Sequence, residues 1–216
     1  MTQDPYAWLE AVVAAACSAA AAEDGPVYRY RWDHVQGVVR EAQALAHQLG
    51  ADLEVVTAAA WLHDVAKCDA SGAEQEDHAA KGAAYARNVL ADTGFPRDKV
   101  GAVADAIAKH ARLYKDWQVE PLEAAILWDA DKLTKLGATG AMAAIAWSIV
   151  RGGADTTPAL VRELYPLWLY RRMAASMNTL RAREIAAQRL AFLEQFYAQL
   201  VTEGWLSEEL PHAQGP

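Results

Sequence analysis

Residues 122–136, LEAAILWDADKLTKL, contain a regular row of apolar side chains in which one position holds an acid. The row has the spacing i, i+4, i+7, i+11 and i+14 of one face of an α-helix. Its members are Leu122, Ile126, Asp129, Leu133 and Leu136. Burying a carboxylate is costly unless it is paired or binds a metal ion. The stretch therefore predicts a core helix on which Asp129 has a partner or a ligand.

Two other apolar rows also meet titratable side chains. One row begins at Val100 and ends on His110. Another has His63 and Asp64 on its flank, and Lys67 follows four residues after His63. These three side chains share one side if the helix continues through them.

The composition favours an all-α protein. The chain has 216 residues, is 53% hydrophobic and carries 20 Lys and Arg against 28 Asp and Glu, for a formal net charge of −8. Such a chain is too apolar for a disordered protein and too acidic for a generic binder of long nucleic acids. Helix-forming residues dominate, and no run alternates with the period of a β-strand.

Glycine, proline and capping residues predict where the helices begin and end. Asp33 and Asp52 have the chemistry of N-caps, and a proline opens the segment that contains Asp129. The segments are predicted at about 6–22, 33–50, 52–67, 78–92, 97–110, 121–136 and 139–150, with two more helices in 158–204.

Neither the cysteines nor the N-terminus indicates secretion or a membrane. Cys17 and Cys68 are far apart, and neither belongs to a CxxC pair, which argues against a redox or cysteine–zinc motif. The apolar run 11–22 lacks a basic flank and is shorter than the ~20 residues that span a bilayer. We therefore expect a cytoplasmic protein without a membrane partner.

Histidines and acids on or beside apolar faces recur along the chain. A lone histidine there is more often a hydrogen-bonded core residue, and a lone acid is more often a cap or a partner of arginine. The recurrence favours a metal site formed by His34, His63, Asp64, His78, His110 and Asp129. Imidazole and carboxylate ligands without thiolate suit Mn, Fe, Co, Ni or Mg.

His47 serves as an internal control for this interpretation. It lies about 220° around its helix from His34, at 100° per residue. It shares that side with Gln36, Arg40 and Gln43, which is a polar face. We therefore predict that His47 is exposed to solvent and has no role in the site.

The order His34, His63-Asp64, Asp129 resembles the HD-domain metal-dependent phosphohydrolase superfamily. The flanking words strengthen the resemblance: WDHV at 32–35, LHDVAK at 62–67 and LWDADKL at 127–133. Met177-Asn178-Thr179 near the C-terminus resembles a subgroup of small stand-alone bacterial HD proteins.

The resemblance implies a helical bundle with a metal ion at its centre. Its ligands would be His34, His63, Asp64 and Asp129, and Asp64 could bridge two metal ions. The implied domains are an N-terminal helix and connection at 1–29, an HD metal-binding core at 30–137, C-terminal helices at 138–206 and a flexible tail at 207–216.

His78 and His110 match two extra histidines of dinuclear members of the superfamily. They would hold a second divalent ion (Mn, Fe, Ni, Co or Mg). The alternative is that one or both contact the substrate phosphate or donate a proton. Lys67 would meet a phosphate oxygen, or it is simply a surface lysine at a helix end.

The implied activity is hydrolysis of a small phosphoester or nucleotide by metal-activated water, with catalytic residues Asp64, Lys67, His78 and His110. Two alternatives stay open: a di-iron oxygenase of the same fold, and a non-enzymatic sensor or scaffold stabilised by the metal. The expected partner is a small phosphorylated substrate, and an oligomer is possible.

Residues near the implied ligands have weaker assignments. Tyr114 and Trp117 are candidates for stacking on a base, and Arg112 and Lys115 for binding phosphate. Asp131 lies about 200° from Asp129 on the helix, so we expect its side chain to point away from Asp129, toward a contact that supports a ligand or caps a helix.

Lys132 follows Asp129 by three residues. It either approaches the site or pairs with a neighbouring acid such as Asp131, and the pairing is the simpler interpretation.

Overall fold

The computed structural model describes residues 7–24, 28–68, 77–150, 152–164 and 166–206. Within these residues the regular elements are ten α-helices, which confirms the all-α prediction. They are α1 (Ala7–Glu23), α2 (Tyr30–Leu49), α3 (Leu53–Leu62), α4 (His78–Ala91), α5 (Val100–Lys109), α6 (Leu122–Leu133), α7 (Gly137–Val150), α8 (Thr157–Glu163), α9 (Leu167–Ala175) and α10 (Leu180–Thr202). The predicted tail at 207–216 lies outside the described residues.

The chain divides into two compact units, and the first comprises Met1–Arg112 and Gln118–Asp131. In this unit α3 contacts α1, α2, α4 and α5. Its sequence is accordingly apolar on all sides, as expected for a helix surrounded by others. Gly82 allows α4 to approach closely, because a Cβ there would lie 3.3 Å from the His63 carbonyl oxygen.

The second unit comprises Leu113–Trp117 and Lys132–Pro216. In it α10 packs on α7 and α9, and α8 packs on α7. Thr179 caps α10 by accepting a hydrogen bond from the Ala182 N–H. Gly137 has φ +74°, and the side chain of Arg189 would touch any Cβ at that position. Arg189 also donates to the Leu133 carbonyl at 2.7 Å.

The predicted caps have different outcomes. Asp52 caps α3 as predicted, because its carboxylate accepts hydrogen bonds from the N–H groups of Glu54 and Val55. The prediction for Asp33 is wrong, because α2 begins three residues earlier, at Tyr30. The carboxylate of Asp24 instead accepts the first-turn N–H groups of α2, from residues 31 and 32.

Two predicted helix boundaries are also wrong. Helix α3 ends at Leu62, so His63, Asp64 and Lys67 lie in the turns that follow it. The region 158–204 contains three helices rather than two, because Pro166 separates α8 from α9. Proline has no N–H to continue a helix, and it disfavours helical geometry in the residue before it.

Among the described residues, no single helix combines the length and apolar composition needed to cross a membrane. The pair α6 and α7 reaches that length only when both helices are counted together across the bend between them.

Candidate metal centre

The candidate centre is a group of five buried side chains from four parts of the first unit. His34 lies on α2, and His63 and Asp64 follow the end of α3. His78 is the first residue of α4, and His110 is the C-cap of α5. Helix ends thus supply most of the group, which lets several elements place ligands around one point.

Asp64 lies between two pairs of histidines. Its Oδ2 atom is 3.7 Å from His34 Nε2 and 3.6 Å from His63 Nε2. Its Oδ1 atom is 3.3 Å from His110 Nε2 and 4.0 Å from His78 Nε2. Each carboxylate oxygen therefore faces a different pair of imidazole nitrogens.

Two of the histidines are oriented in the same way by the helices that they follow. The Nδ1 atom of His63 lies 2.8 Å from the Ala60 carbonyl oxygen, and Nδ1 of His110 lies 2.6 Å from the Ile107 carbonyl oxygen. A carbonyl only accepts, so Nδ1 is the protonated nitrogen in both rings. Both carbonyls belong to the last turn of a helix, α3 for Ala60 and α5 for Ile107. The Nε2 lone pairs therefore point toward Asp64, as a metal ligand requires.

The electrostatics of the centre favour neutral imidazole beside an ionised carboxylate. Burial lowers the pKa of His63 to about 3, which keeps that ring neutral. Burial also raises the pKa of Asp64, but neighbouring groups, among them the charged Arg31 guanidinium, lower it by more, so its pKa lies well below the usual value. Both groups are thus in the protonation states that bind metal ions.

Asp131 also lies at the centre, in contact with one of its histidines. Its Oδ1 atom lies 3.2 Å from His34 Nε2, which makes it either a ligand or the contact of a ligand. Helix α6 is buried on every side from Ala124 to Leu133. No face of that stretch is left for an outward-pointing acid.

In the part of the chain that the structure describes, two sets of three ligand atoms lie close enough to hold an ion. The atoms of each set are within 4.8 Å of one another, and the sets are His34, His63, Asp131 and His63, Asp64, His110. Asp129 is fully buried on α6 but belongs to neither set. Lys132 is also buried. The imidazole and carboxylate donors of both sets fit the divalent ions named above, and no thiolate is among them.

Arg31 is a component of the centre that the sequence interpretation missed. Its Nη1 donates to Asp64 Oδ2 at 2.6 Å, and its Nε donates to Glu23 Oε2 at 2.7 Å. Burial lowers the pKa of Arg31, but Asp64 and Glu23 raise it by more, so the guanidinium is charged. The only sequence signal was its position one helical turn before His34.

Residues outside the centre are placed as follows. His47 is exposed, as predicted. Lys115 is buried, and its ammonium donates to the Trp117 and Ser176 carbonyls and to Asn178 Oδ1 at 2.5–3.2 Å. This corrects its assignment as a phosphate ligand. The Tyr114 ring lies 4.5 Å from the Arg172 guanidinium carbon, which covers one of its faces.

The family model for the HD domain matches residues 31–136, which contain the whole candidate centre. The chain is an HD-domain protein. This match confirms the resemblance, and the described helices, with a histidine and aspartate cluster in the first unit, confirm the predicted fold class.

Solved structures of other proteins share the fold. A predicted HD superfamily hydrolase from an uncultured Thermotogales bacterium is 27% identical, with a TM-score of 0.64, over 94% of this chain and 96% of that one. Bacillus subtilis YpgQ, in complex with ADP, is 23% identical, with a TM-score of 0.66, over 91% of this chain and 96% of that one. With the HD match, the first of these supports a metal-dependent phosphohydrolase in general terms.

A curated relative matches only locally. Ribonuclease Y of Cutibacterium acnes is 46% identical over 55 residues, which are 26% of this chain and 10% of that protein. The chain thus matches about a tenth of the length of this relative.

Proposed function

We propose that this HD-domain protein hydrolyses a small phosphoester or nucleotide with the help of one or two divalent metal ions. The observation that carries the proposal is the position of Asp64, whose two oxygens face two different pairs of histidines. Arg31 already pairs with Oδ2, but the Nε2 lone pairs of His63 and His110 face the carboxylate oxygens at 3.6 and 3.3 Å. Such an arrangement is costly in a buried place unless a further cation lies between the nitrogens and the oxygens.

The first ion would be held by His34, His63 and Asp64, joined by Asp131, whose ligand atom lies in one set with those of His34 and His63. The HD resemblance implies Asp129 as a further ligand, although Asp129 belongs to neither set of closely spaced ligand atoms. A bound divalent ion would make hydroxide available near neutral pH and offset charge on the phosphoryl oxygens. The chain contributes the neutral His63 ring and the ionised Asp64 carboxylate in a buried place.

Lys67, His78 and His110 would complete the site. Lys67 lies in the turn after Asp64, and its charge contributes to the lowered pKa of that carboxyl. Its proposed role is to bind a phosphate oxygen. His78 and His110 face Asp64 Oδ1 and would hold a second ion, or else contact the phosphate and donate a proton to the leaving group.

The substrate class is proposed from charge and from the fold. A net charge of −8 disfavours a long polyanion, whereas a small phosphate group needs only local positive charge. YpgQ shares the fold and was solved with ADP, so nucleoside diphosphates belong among the compounds to be tested.

Metal-dependent phosphate release tests the proposal. The metal-stripped protein would be supplied with Mn²⁺, Mg²⁺, Ni²⁺, Co²⁺ or Fe²⁺ and assayed on p-nitrophenyl phosphate, bis-p-nitrophenyl phosphate, ADP and other nucleotides. We expect hydrolysis with at least one metal, and we expect His63→Ala to abolish it. His47→Ala is the matched control, because His47 is exposed and should leave the rate unchanged.

The four histidines around one carboxylate also suit a di-iron centre, which keeps the oxygenase as a second candidate. An oxygen electrode distinguishes the two functions, because a phosphohydrolase releases phosphate without consuming oxygen. The scaffold alternative gains if His63→Ala lowers the melting temperature but changes no activity that the wild type shows.

A further inference from the structure

Arg31 and the histidine pair face the same oxygen of the central carboxylate. Asp64 Oδ2 accepts a hydrogen bond from Arg31 Nη1 at 2.6 Å, and His34 and His63 lie 3.7 and 3.6 Å from that oxygen. An ion held by the two histidines and Oδ2 would therefore lie close to a guanidinium that shares its ligand. Two cations at such a distance in a buried place repel each other strongly.

Arg31 has a second anion within the same unit. Its Nε donates to Glu23 Oε2 at 2.7 Å, and both side chains are more than nine-tenths buried. Glu23 is the last residue of α1. The guanidinium can thus leave Asp64 and remain paired, which an arginine with a single partner could not do without leaving a buried charge uncompensated.

We propose that Arg31 is a placeholder cation, which neutralises Asp64 in the metal-free protein and is displaced toward Glu23 when the ion binds. Arg31 and Glu23 are then positioning residues that set the metal affinity in opposite directions. This inference rests on the proposed function, because it requires the metal site. It goes beyond that function by naming what the ion must displace.

Thermodynamic linkage predicts whether each variant binds Mn²⁺ more tightly or more weakly than the wild type. Any free energy by which Arg31 stabilises the metal-free form has to be given up on metal binding. Arg31→Met removes the competitor and should tighten Mn²⁺ binding. Glu23→Gln removes the alternative anion, so Arg31 holds Asp64 more firmly and Mn²⁺ binding should weaken.

The experiment is calorimetric titration of the full-length, metal-stripped chain with Mn²⁺. We expect the Kd to fall about fivefold or more in Arg31→Met and to rise by a similar factor in Glu23→Gln. Arg40→Met and Glu10→Gln are the controls, because both residues are exposed on the same two helices. The controls should bind as the wild type does.

The outcomes separate the inference from the function on which it rests. A merely structural role predicts weaker binding in both variants, so equal or weaker binding by Arg31→Met overturns the inference while the proposed function stands. Wild-type protein that binds neither Mn²⁺ nor any other tested divalent ion overturns both.

We expect the metal-free Arg31→Met protein to be less stable than the wild type, because Asp64 loses its buried partner. If it is unfolded without metal, folding followed by circular dichroism during the Mn²⁺ titration becomes the measurement. Folding at Mn²⁺ concentrations that saturate the wild type supports the placeholder role, and failure to fold with Mn²⁺ overturns it. Arg31→Lys keeps the charge but cannot donate to Asp64 and Glu23 in the same way. Its Kd for Mn²⁺ should lie between those of the wild type and Arg31→Met.

Discussion

Each unit of this protein buries at least one cation, and two of them, Arg31 and Lys115, have very different surroundings. Lys115, in the second unit, donates to three oxygen atoms of uncharged groups. Arg31, in the first unit, lies between two carboxylates, and histidine Nε2 atoms face one of these. A buried cation matched by carbonyl oxygens holds a loop in place. A buried carboxylate facing several imidazole lone pairs, by contrast, suits the binding of another cation.

The comparison also shows why the residue type alone does not reveal the role. Lysine in a loop after a histidine suggests a phosphate ligand, yet Lys115 is engaged with the backbone around residues 117 and 176. Whether a buried cation has a structural or a functional role depends on the acceptors that surround its charge. We therefore expect substitutions in the two units to have different effects.

The largest expected effect is that of Asp64→Asn on hydrolysis. The amide keeps the size of the carboxylate but loses the charge that would hold the ion, so kcat/KM should fall about a thousandfold or more. Steady-state kinetics at saturating metal measures the change. Asp92→Asn, at an exposed position, is the control. Hydrolysis at the wild-type rate by Asp64→Asn would mean that the surroundings of Arg31 are no more functional than those of Lys115.

Lys115→Met should affect stability rather than metal binding. The substitution leaves buried oxygen acceptors without their donor, which should lower the free energy of unfolding by about 3 kcal/mol. Urea unfolding gives the loss, and calorimetry should give an unchanged Kd for Mn²⁺. A Kd shifted more than about threefold would mean that Lys115 belongs to the functional site after all.

Metal removal should lower the free energy of unfolding by slightly less than Lys115→Met does. A metal present at about 100 times its Kd stabilises by about 2.7 kcal/mol. In a domain of this size, chelation should then lower the melting temperature by about 5–10 °C. Differential scanning calorimetry with and without chelator measures the shift. The same shift should be absent in His63→Ala, and its persistence there would place the stabilising ion elsewhere.

Asp52→Ala should have the smallest effect and lower the free energy of unfolding by about 1 kcal/mol at neutral pH. Asp52 caps the N-terminal end of α3, whereas His63 lies at its C-terminal end. Burial raises the pKa of Asp52, but hydrogen bonds from Lys99 and two N–H groups lower it by more. A lowered pKa in the folded state stabilises the protein above about pH 4, and this contribution is lost as the pH falls further. Urea unfolding should show that the difference in unfolding free energy between Asp52→Ala and the wild type is smaller at pH 3 than at pH 7. An equal difference at both pH values would contradict this role of the Asp52 carboxylate.

The fold class could be predicted from the sequence, and so could most of the histidines and acids that the structure brings together in the candidate metal centre. Helical spacing is local, so an acid in the row around Asp129 and a histidine at the end of the row before His110 are visible without a structure. Their rarity on apolar faces indicated a site. The exposure of His47 followed from the same arithmetic.

The features that sequence reasoning missed depend on contacts between distant segments. Arg31 meets Asp64 across 33 residues, and nothing in the spacing of either predicts that pair. Asp131 was expected to point away from Asp129, but the spacing along α6 does not show that His34 lies on that side. Lys115 was misassigned because two of its three acceptors come from residues about 60 positions later.

Metal content per chain is the most direct test of the central claim. Mass spectrometry of protein purified without chelator should find about one or two divalent transition-metal ions or Mg²⁺ per wild-type chain. The same amount is expected in His47→Ala, and little or none in His63→Ala. Equal metal content in all three proteins, or no metal in the wild type together with no metal-stimulated hydrolysis, would contradict the account.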